Sequence, residues 1–316
     1  MARRSRHRGS DRQLHGVLVL HKPEGPTSAA CLERVKRVCG QPRIGHAGTL
    51  DPLATGVLVV LLGQATKLSN YLTGADKTYV GELELGRTTD TYDIQGTETS
   101  RADWSSLTPE TVAAAVTAWQ DDTTQEVPAY SAAKHQGEPL YKLAREGRDA
   151  PVKVKEITIY EAEAVTLDLP RCIFRVRCSA GAYVRSLVHS LGIRLGCGAV
   201  MTALTRTQSH PFTLDMAVSL DDILAEPERL GERIIPLEHA LPHWPRVALD
   251  ARQAEELKRS GRLPWEAGTT DAQAFAPGQR ALFLDQHGKA LGLMETGIEK
   301  TGGAAVWTVL RGLWEA

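Results

Sequence analysis

The spacing of hydrophobic and polar positions predicts strands and helices in mixed order along the chain. An apolar run at residues 16–22 predicts a first strand, and the continuous run at 57–62 is typical of a strand buried on both faces. Strict alternation at 77–86 and 171–178 favours antiparallel strands with a single buried face. The arginines of the last segment would share its other face, which would meet solvent or phosphate.

Apolar residues spaced three to four positions apart predict helices between these strands. The first helix spans residues 28–39 and ends at a glycine. Its apolar face comprises Cys31, Leu32, Val35, Val38 and Cys39. A second helix begins with Thr108 as N-cap and runs to Trp119, and a third runs from the segment 181–186 to Gly196.

Polar segments interrupt this pattern at several places. Residues 87–93 predict a loop, and residues 127–147 mix aromatic, basic and turn-forming residues without a regular period, which is typical of a ligand-facing insertion. The strand pattern returns at residues 153–160. A domain boundary is predicted around residues 241–245, where two prolines interrupt regular structure.

The segment after this boundary predicts a compact β unit. Asp250 and Gln253 form a capping-box pattern that opens a short helix to Ser260. Strand patterns follow at residues 280–285, 289–295 and 305–311. A chain of 316 residues fits two domains, because domains contain roughly 100 to 200 residues each.

Composition and charge restrict the possible partners. The formal net charge is −1, so a nucleic acid would have to bind a local basic face. Residues 1–13 form a basic tail that lacks the apolar segment of a secretory signal. Its arginines are Arg3, Arg4, Arg6, Arg8 and Arg12. This flexible tail is either a solubilising segment or an auxiliary phosphate-binding arm.

The sequence contains none of the common cofactor motifs. The five cysteines form neither a C-x-x-C pair nor an even set, which favours a reduced, cytoplasmic protein. No apolar run approaches the roughly 18 residues of a membrane span. Phosphate-binding loops, dinucleotide motifs and metal-binding His/Cys spacings are also absent from the sequence. We therefore expect no cofactor, no metal and no membrane partner.

The candidate chemistry is concentrated in residues 43–58, RIGHAGTLDPLATGVL. A single carboxylate, Asp51, lies in a glycine-rich loop ahead of the buried strand. Gly48 and Gly56 allow close approach of a ligand or positive φ, and Pro52 restricts Asp51 to an extended conformation. Such a loop can aim a side chain, although an Asp before Pro is also a common turn former.

This loop resembles the catalytic loop of the TruB family of bacterial tRNA pseudouridine synthases. The family motif G-H-x-G-x-L-D-P-x-A-T-G matches at every fixed position, and the likeness extends from about Leu14 to Phe212. The resemblance implies an α/β (α+β) catalytic domain at residues 14–244, with a mixed, mostly antiparallel sheet flanked by helices. It also implies a small PUA-like, RNA-binding β-barrel at residues 245–316.

The resemblance further implies the reaction and its partner. Uridine at position 55 in the T arm of tRNA would be isomerised to pseudouridine by a cytoplasmic enzyme. It would act as a monomer, without a cofactor and without a guide RNA. The target base would have to leave its stack to reach the carboxylate.

The resemblance assigns a role to each candidate residue. Asp51 would be the nucleophile, and Arg185, in the motif Gly-Ala-Tyr-Val-Arg, would hold its carboxylate in a forked geometry. Asp93 would pair with the other side of Arg185. Tyr79 would stack on the target ring and assist proton transfer, while Tyr183 lines the opposite side. The remaining contacts with RNA would come from His46, Leu204, Tyr130, Lys134, Tyr141 and Arg145.

Three positions depart from the family pattern: Ala182, Thr205 and His210. These departures concern RNA contacts rather than the reaction.

Two other functions are compatible with parts of the sequence. A tRNA-binding or tRNA-folding protein without catalysis could use the same basic loops. A glycoside hydrolase also acts at an anomeric carbon, but it usually needs two carboxylates. Attack at C6 of uracil, attack at C1′ of ribose and a glycal route all require the same aspartate and stay open.

Overall fold

The computed structural model describes residues 13–148, 152–266, 276–298 and 305–314. The predicted basic tail lies outside these residues, except for Gln13. The described helices are α1 Ser28–Cys39, α2 Ser69–Thr73, α3 Pro109–Thr117, α4 Leu140–Arg145, α5 Val184–Arg194, α6 Leu220–Ala225 and α7 Ala251–Ser260. The described strands are β1 Gly16–Lys22, β2 Ile44–His46, β3 Thr55–Leu62, β4 Lys77–Leu85, β5 Arg87–Thr89, β6 Glu98–Arg101, β7 Thr124–Glu126, β8 Lys134–His135, β9 Glu138–Pro139, β10 Val154–Glu156, β11 Ile159–Asp168, β12 Arg171–Cys178, β13 Ala199–Ser209, β14 Phe212–Thr213, β15 Val218–Ser219, β16 Arg246–Ala248, β17 Arg262–Pro264, β18 Arg280–Leu284, β19 Ala290–Ile298 and β20 Ala305–Gly312.

A nine-stranded mixed sheet forms the larger part of the molecule. Its order is β11-β12-β4-β13-β3-β1-β15, with β14 added to β13 and β2 to β3. The β13–β3 and β1–β15 pairs are parallel, and the other pairs are antiparallel. The predicted fold class, with its mixed and mostly antiparallel sheet, is therefore confirmed.

Two hydrophobic cores lie on opposite faces of this sheet because side chains alternate along each strand. Leu58 and Val60 of β3 face a core covered by α1, α3, α5 and α6. Val57 and Val59 face a second core, which includes Leu293 of the C-terminal sheet. The apolar run in β3 thus packs on both sides, as its sequence predicts.

The predicted C-terminal β unit is a five-stranded sheet in the order β16-β18-β19-β20-β17. The capping box of Asp250 and Gln253 opens α7, whose Leu257 packs with Phe283 and Trp307 in a third core. The sequence missed β16 and β17, since each has only three residues.

Several details of the predicted helices and strands were wrong. Val38 is 40% exposed and does not join the buried face of α1. The pattern at residues 153–160 divides between β10, which pairs with β7, and the start of β11. The predicted loop at 87–93 begins with β5, which pairs with β6. Strands of three or four residues are too short to show a period of two, and they form because a partner strand is available, so local periodicity does not reveal them.

The described residues include no helix with the length and hydropathy needed to cross a membrane.

Candidate active site

The loop that carries Asp51 connects β2 to β3 and is held by side chains from the start of the chain. Lys22, at the end of β1, is fully buried, and its ammonium donates to the carbonyl of Ala54 at 2.7 Å. Ser28 Oγ donates to the Leu50 carbonyl and accepts from the Leu50 amide, both at 2.9 Å. These contacts fix the backbone on both sides of Asp51.

Arg206 of β13 holds the same loop from the opposite direction. It is 1% exposed, and its Nε donates to the Val57 carbonyl at 2.7 Å. Its two terminal nitrogens donate to the carbonyls of Gly48, at 3.0 Å, and Thr49, at 3.4 Å. One guanidinium therefore ties the segments before and after Asp51.

Gly56 is required where the loop enters β3. Its φ is +96°, and a Cβ there would lie 2.3 Å from the carbonyl oxygen of Arg206. Any side chain at this position would separate β3 from β13, where the two strands pair in parallel.

Arg185 forms the centre of the charged network. Its Nε donates to Asp51 Oδ2 at 2.9 Å and lies 3.8 Å from Asp93 Oδ2. Its terminal nitrogens donate to the carbonyls of Thr91, at 2.8 Å, and Tyr130, at 2.9 Å. The expected forked contact with Asp51 is wrong, because a single hydrogen bond from Nε joins the two side chains and the terminal nitrogens are directed at backbone carbonyls.

Burial differs sharply between the two partners of this ion pair. The side chain of Arg185 is 4% exposed, whereas that of Asp51 is 37% exposed. Asp93, 6% exposed, accepts hydrogen bonds from the Thr91 hydroxyl and the Gln95 amide. The cation is thus fixed within the protein, and the carboxylate it orients remains accessible to a ligand.

The accessible side of Asp51 faces a cavity of about 530 Å³. The structure brings Asp51, Tyr79, Tyr183, Arg185 and Leu204 together in its wall. Ligand pockets usually measure about 300–1,000 Å³. The cavity is large enough for a single extruded nucleotide base.

The pKa values of two tyrosines and one lysine in the cavity wall are shifted from their ordinary values. Burial raises the pKa of Tyr79, although the charge of Arg206 opposes this, so Tyr79 is a neutral phenol at neutral pH. Burial likewise raises the pKa of Tyr183. Burial and the neighbouring Arg206 lower the pKa of Lys77 to about 8. The Lys77 ammonium donates to two carbonyls at the end of α2.

The other predicted contact residues lie outside this cavity wall. His46 is half-buried on β2, and burial lowers its pKa. Lys134, Tyr141 and Arg145 are exposed on the insertion, where the Arg145 guanidinium lies 5.6 Å from the Tyr141 ring centroid. The structure therefore does not bring these residues into the group around Asp51.

The departures from the family pattern fall at separate places. Ala182 lines the cavity. Thr205 Oγ1 lies 2.8 Å from Thr55 Oγ1, so this threonine supports the end of the loop that carries Asp51. His210 is exposed beside His243, with ring centroids 5.8 Å apart.

The basic face of β12 is neutralised by acids. Arg171 pairs with Glu84, Arg175 with Glu161 and Glu163, and Arg177 with Asp76 and Glu161. Of the two expectations for this face, the structure favours solvent over phosphate.

Sequence reasoning missed the residues that support the site. Lys22 and Arg206 are buried cations without a carboxylate partner among the described residues. Gln125 accepts from the Tyr183 amide at 2.7 Å and donates to the Tyr183 carbonyl at 2.9 Å, which fixes the start of α5. For Lys22, the sequence did contain a signal: a lysine that ends an apolar strand can be buried with it.

Among the residues that the structure describes, no group of three or more His, Cys, Asp or Glu side chains could hold a metal ion.

Comparison with known proteins gives consistent matches. Residues 36–184 match the model of the TruB family pseudouridylate synthase N-terminal domain. Residues 185–242 match the tRNA pseudouridylate synthase B C-terminal domain. The chain is similar to tRNA pseudouridine synthase B of Oleidesulfovibrio alaskensis, with 56% identity covering 96% of this chain and 97% of that protein. It is equally similar, at 56% identity, to that of Nitratidesulfovibrio vulgaris, covering 96% of this chain and 99% of that protein.

Solved structures agree with the fold. A crystal structure of a Cbf5-Nop10-Gar1 complex matches with a TM-score of 0.72 and 25% identity, covering 95% of this chain and 85% of that chain. The shared fold, the two domain matches and the high identity to curated relatives lead to one conclusion. This chain belongs to the TruB family of pseudouridylate synthases.

Proposed function

We propose that this protein is a tRNA pseudouridine synthase that isomerises uridine 55 in the T arm of tRNA. The observation that carries the proposal is the accessible Asp51 carboxylate, which the buried Arg185 holds at 2.9 Å beside a cavity of nucleotide size. Membership of the TruB family, and relatives that are named tRNA pseudouridine synthase B, support the same activity.

Asp51 would act on a uridine that has been extruded into the cavity. The N1–C1′ bond breaks, the uracil ring rotates, and a new bond forms between C5 and C1′. The proton on C5 leaves to solvent and N1 gains a proton, so the reaction requires no oxidant, reductant or external energy. Asp51 serves as the nucleophile, and Arg185 orients the carboxylate and compensates its charge.

Tyr79 and Tyr183 would bind the extruded ring. Both line the cavity, and a phenol offers an apolar face together with one polar tip. Since burial raises the pKa of Tyr79, this residue would act on the C5 proton as a neutral phenol within a hydrogen-bonded path rather than as a phenolate. Leu204 would contact the same base from β13.

The RNA outside the cavity would be bound by exposed groups. Lys134, Tyr141 and Arg145 lie on the insertion, whose Tyr130 carbonyl is bonded directly to Arg185. RNA bound by this insertion would therefore contact the segment whose Tyr130 carbonyl accepts a hydrogen bond from Arg185. His46 would reach the RNA backbone or fill the space that the base leaves.

We assign residues 14–244 to catalysis and residues 245–316 to RNA binding. The basic residues 1–13 would add phosphate contacts or solubility. The protein would act as a monomer in the cytoplasm without a guide RNA, as the family resemblance implies.

The test uses tRNA transcripts that carry tritium at C5 of uridine. The wild-type protein should release tritium in proportion to pseudouridine formed, whereas Asp51→Asn should release none while still binding tRNA. A transcript with cytidine at position 55 should not react. Equal release by wild type and Asp51→Asn would refute the proposal, and release of free uracil would indicate a glycoside hydrolase instead.

A further inference from the structure

The loop of residues 89–96 supplies two of the groups that surround Arg185. The Thr91 carbonyl accepts from Arg185, and the Asp93 carboxylate lies 3.8 Å from its Nε. Tyr92, between them, has a φ of 65°. This left-handed conformation is unfavourable for residues other than Gly, Asn and Asp. Some contact of Tyr92 must therefore offset the cost of this conformation.

The ring of Tyr92 stacks on the imidazole of His189. The ring centroids are 3.8 Å apart and the ring planes differ by 10°. His189 lies four residues after Arg185 on α5, so both side chains project from the same face of the helix. Helix α5 thus holds the loop at two points, through Arg185 at Thr91 and through His189 at Tyr92.

The contact depends on the two rings rather than on a hydrogen bond. Nδ1 of His189 is buried and has no hydrogen-bond partner among the described residues. Burial lowers the pKa of His189, with Glu126 opposing, so the imidazole is neutral at neutral pH. The two neutral rings are nearly parallel and in van der Waals contact, so each buries the other's face.

We propose that Tyr92 and His189 are positioning residues for catalysis. Their stack keeps the Thr91 carbonyl and Asp93 against Arg185, and so sets the orientation of the Asp51 carboxylate. Neither ring lines the cavity beside Asp51; both line a separate cavity of about 420 Å³. The inference rests on the proposed function, because it assumes that Arg185 and Asp51 perform the reaction.

The test compares variants that remove the stack with variants that preserve it. Tyr92→Asn removes the ring but suits a positive φ, and His189→Leu removes the aromatic surface. Each should lower kcat for tritium release by between about two- and tenfold, which corresponds to the strength of an aromatic pair. KM for tRNA should change less than kcat, since neither ring faces the cavity. Tyr92→Phe and His189→Phe should retain wild-type kcat.

The double variant tests whether the two residues act as one unit. Tyr92→Asn combined with His189→Leu should be no slower than the slower single variant, because either change already removes the stack. Equal kcat for Tyr92→Asn and Tyr92→Phe, or multiplication of the two single effects, would overturn the proposal. If His189→Leu fails to fold, the comparison of kcat between Tyr92→Asn and Tyr92→Phe alone tests the proposal. An inactive wild-type protein would instead refute the proposed function.

Discussion

Replacing Arg206 by lysine should show how strongly the catalytic loop depends on one buried guanidinium. Arg206 joins Gly48 and Thr49, before Asp51, to Val57, after it. Lysine preserves the charge, but an ammonium is a compact donor and lacks the planar fork that spans both segments. The substitution therefore tests geometry at constant charge.

The expected magnitude follows from the three hydrogen bonds. The lysine ammonium should retain one of them, which leaves two carbonyls unpaired at a cost of about 1–3 kcal/mol each. We expect Arg206→Lys to lose roughly 2–6 kcal/mol of unfolding free energy, the sum for two such carbonyls. It should also lower kcat, because the loop that aims Asp51 is no longer tied on both sides.

Urea unfolding followed by tryptophan fluorescence measures the stability, and tritium release from labelled tRNA measures kcat. Arg259→Lys is the matched control, because the Arg259 side chain is 77% exposed and pairs only at the surface with Glu256. The control should unfold at the same urea concentration as wild type. An Arg206→Lys protein as stable as this control, or a destabilised one with wild-type kcat, would refute the reasoning.

Three further substitutions test other parts of the structure. Gly56→Ala should lower the thermal midpoint and abolish tritium release, because its Cβ would collide with the backbone of Arg206 and its φ of +96° is strained; a wild-type melting curve would contradict this. Lys77→Met should remove a rise in stability between about pH 8 and 10.4, measured by urea unfolding at several pH values. In that window the unfolded chain binds more protons at this lysine than the folded protein does, since its folded pKa is lowered to about 8. Asp250→Ala breaks the capping box of α7 and should cost about 1 kcal/mol in urea unfolding without changing kcat; a large loss of activity would show that α7 also serves the site.

The sequence predicted those elements whose signals are local. The apolar run of β3, the Thr108 N-cap of α3 and the capping box at Asp250 each involve neighbouring residues, and the structure contains all three. The motif around Asp51 likewise led to the family. These features could be predicted because a short stretch of chain determines them.

The supporting contacts of the site could not be predicted in this way. The Gln125 bond to Tyr183 joins residues 58 positions apart, and the Arg206 bond to Val57 spans 149 positions. The terminal nitrogens of Arg185 bind the carbonyls of Thr91 and Tyr130. Every residue has a backbone carbonyl, so the sequence does not show which ones accept these bonds. The forked pairing with Asp51 was wrong, since only Nε of Arg185 donates to that carboxylate, although the choice of partner agrees with the geometry.

The second core, on the reverse face of the nine-stranded sheet, makes the stability of the larger sheet depend on the C-terminal sheet. Val57 and Leu61 share it with Leu293 and Leu313, and Lys67 donates across the junction to the carbonyl of Gly312. A fragment that stopped at residue 244 would expose the valine and leucine side chains of this core to water and would be expected to self-associate. A free-standing catalytic fragment would first need polar residues in place of these exposed apolar ones.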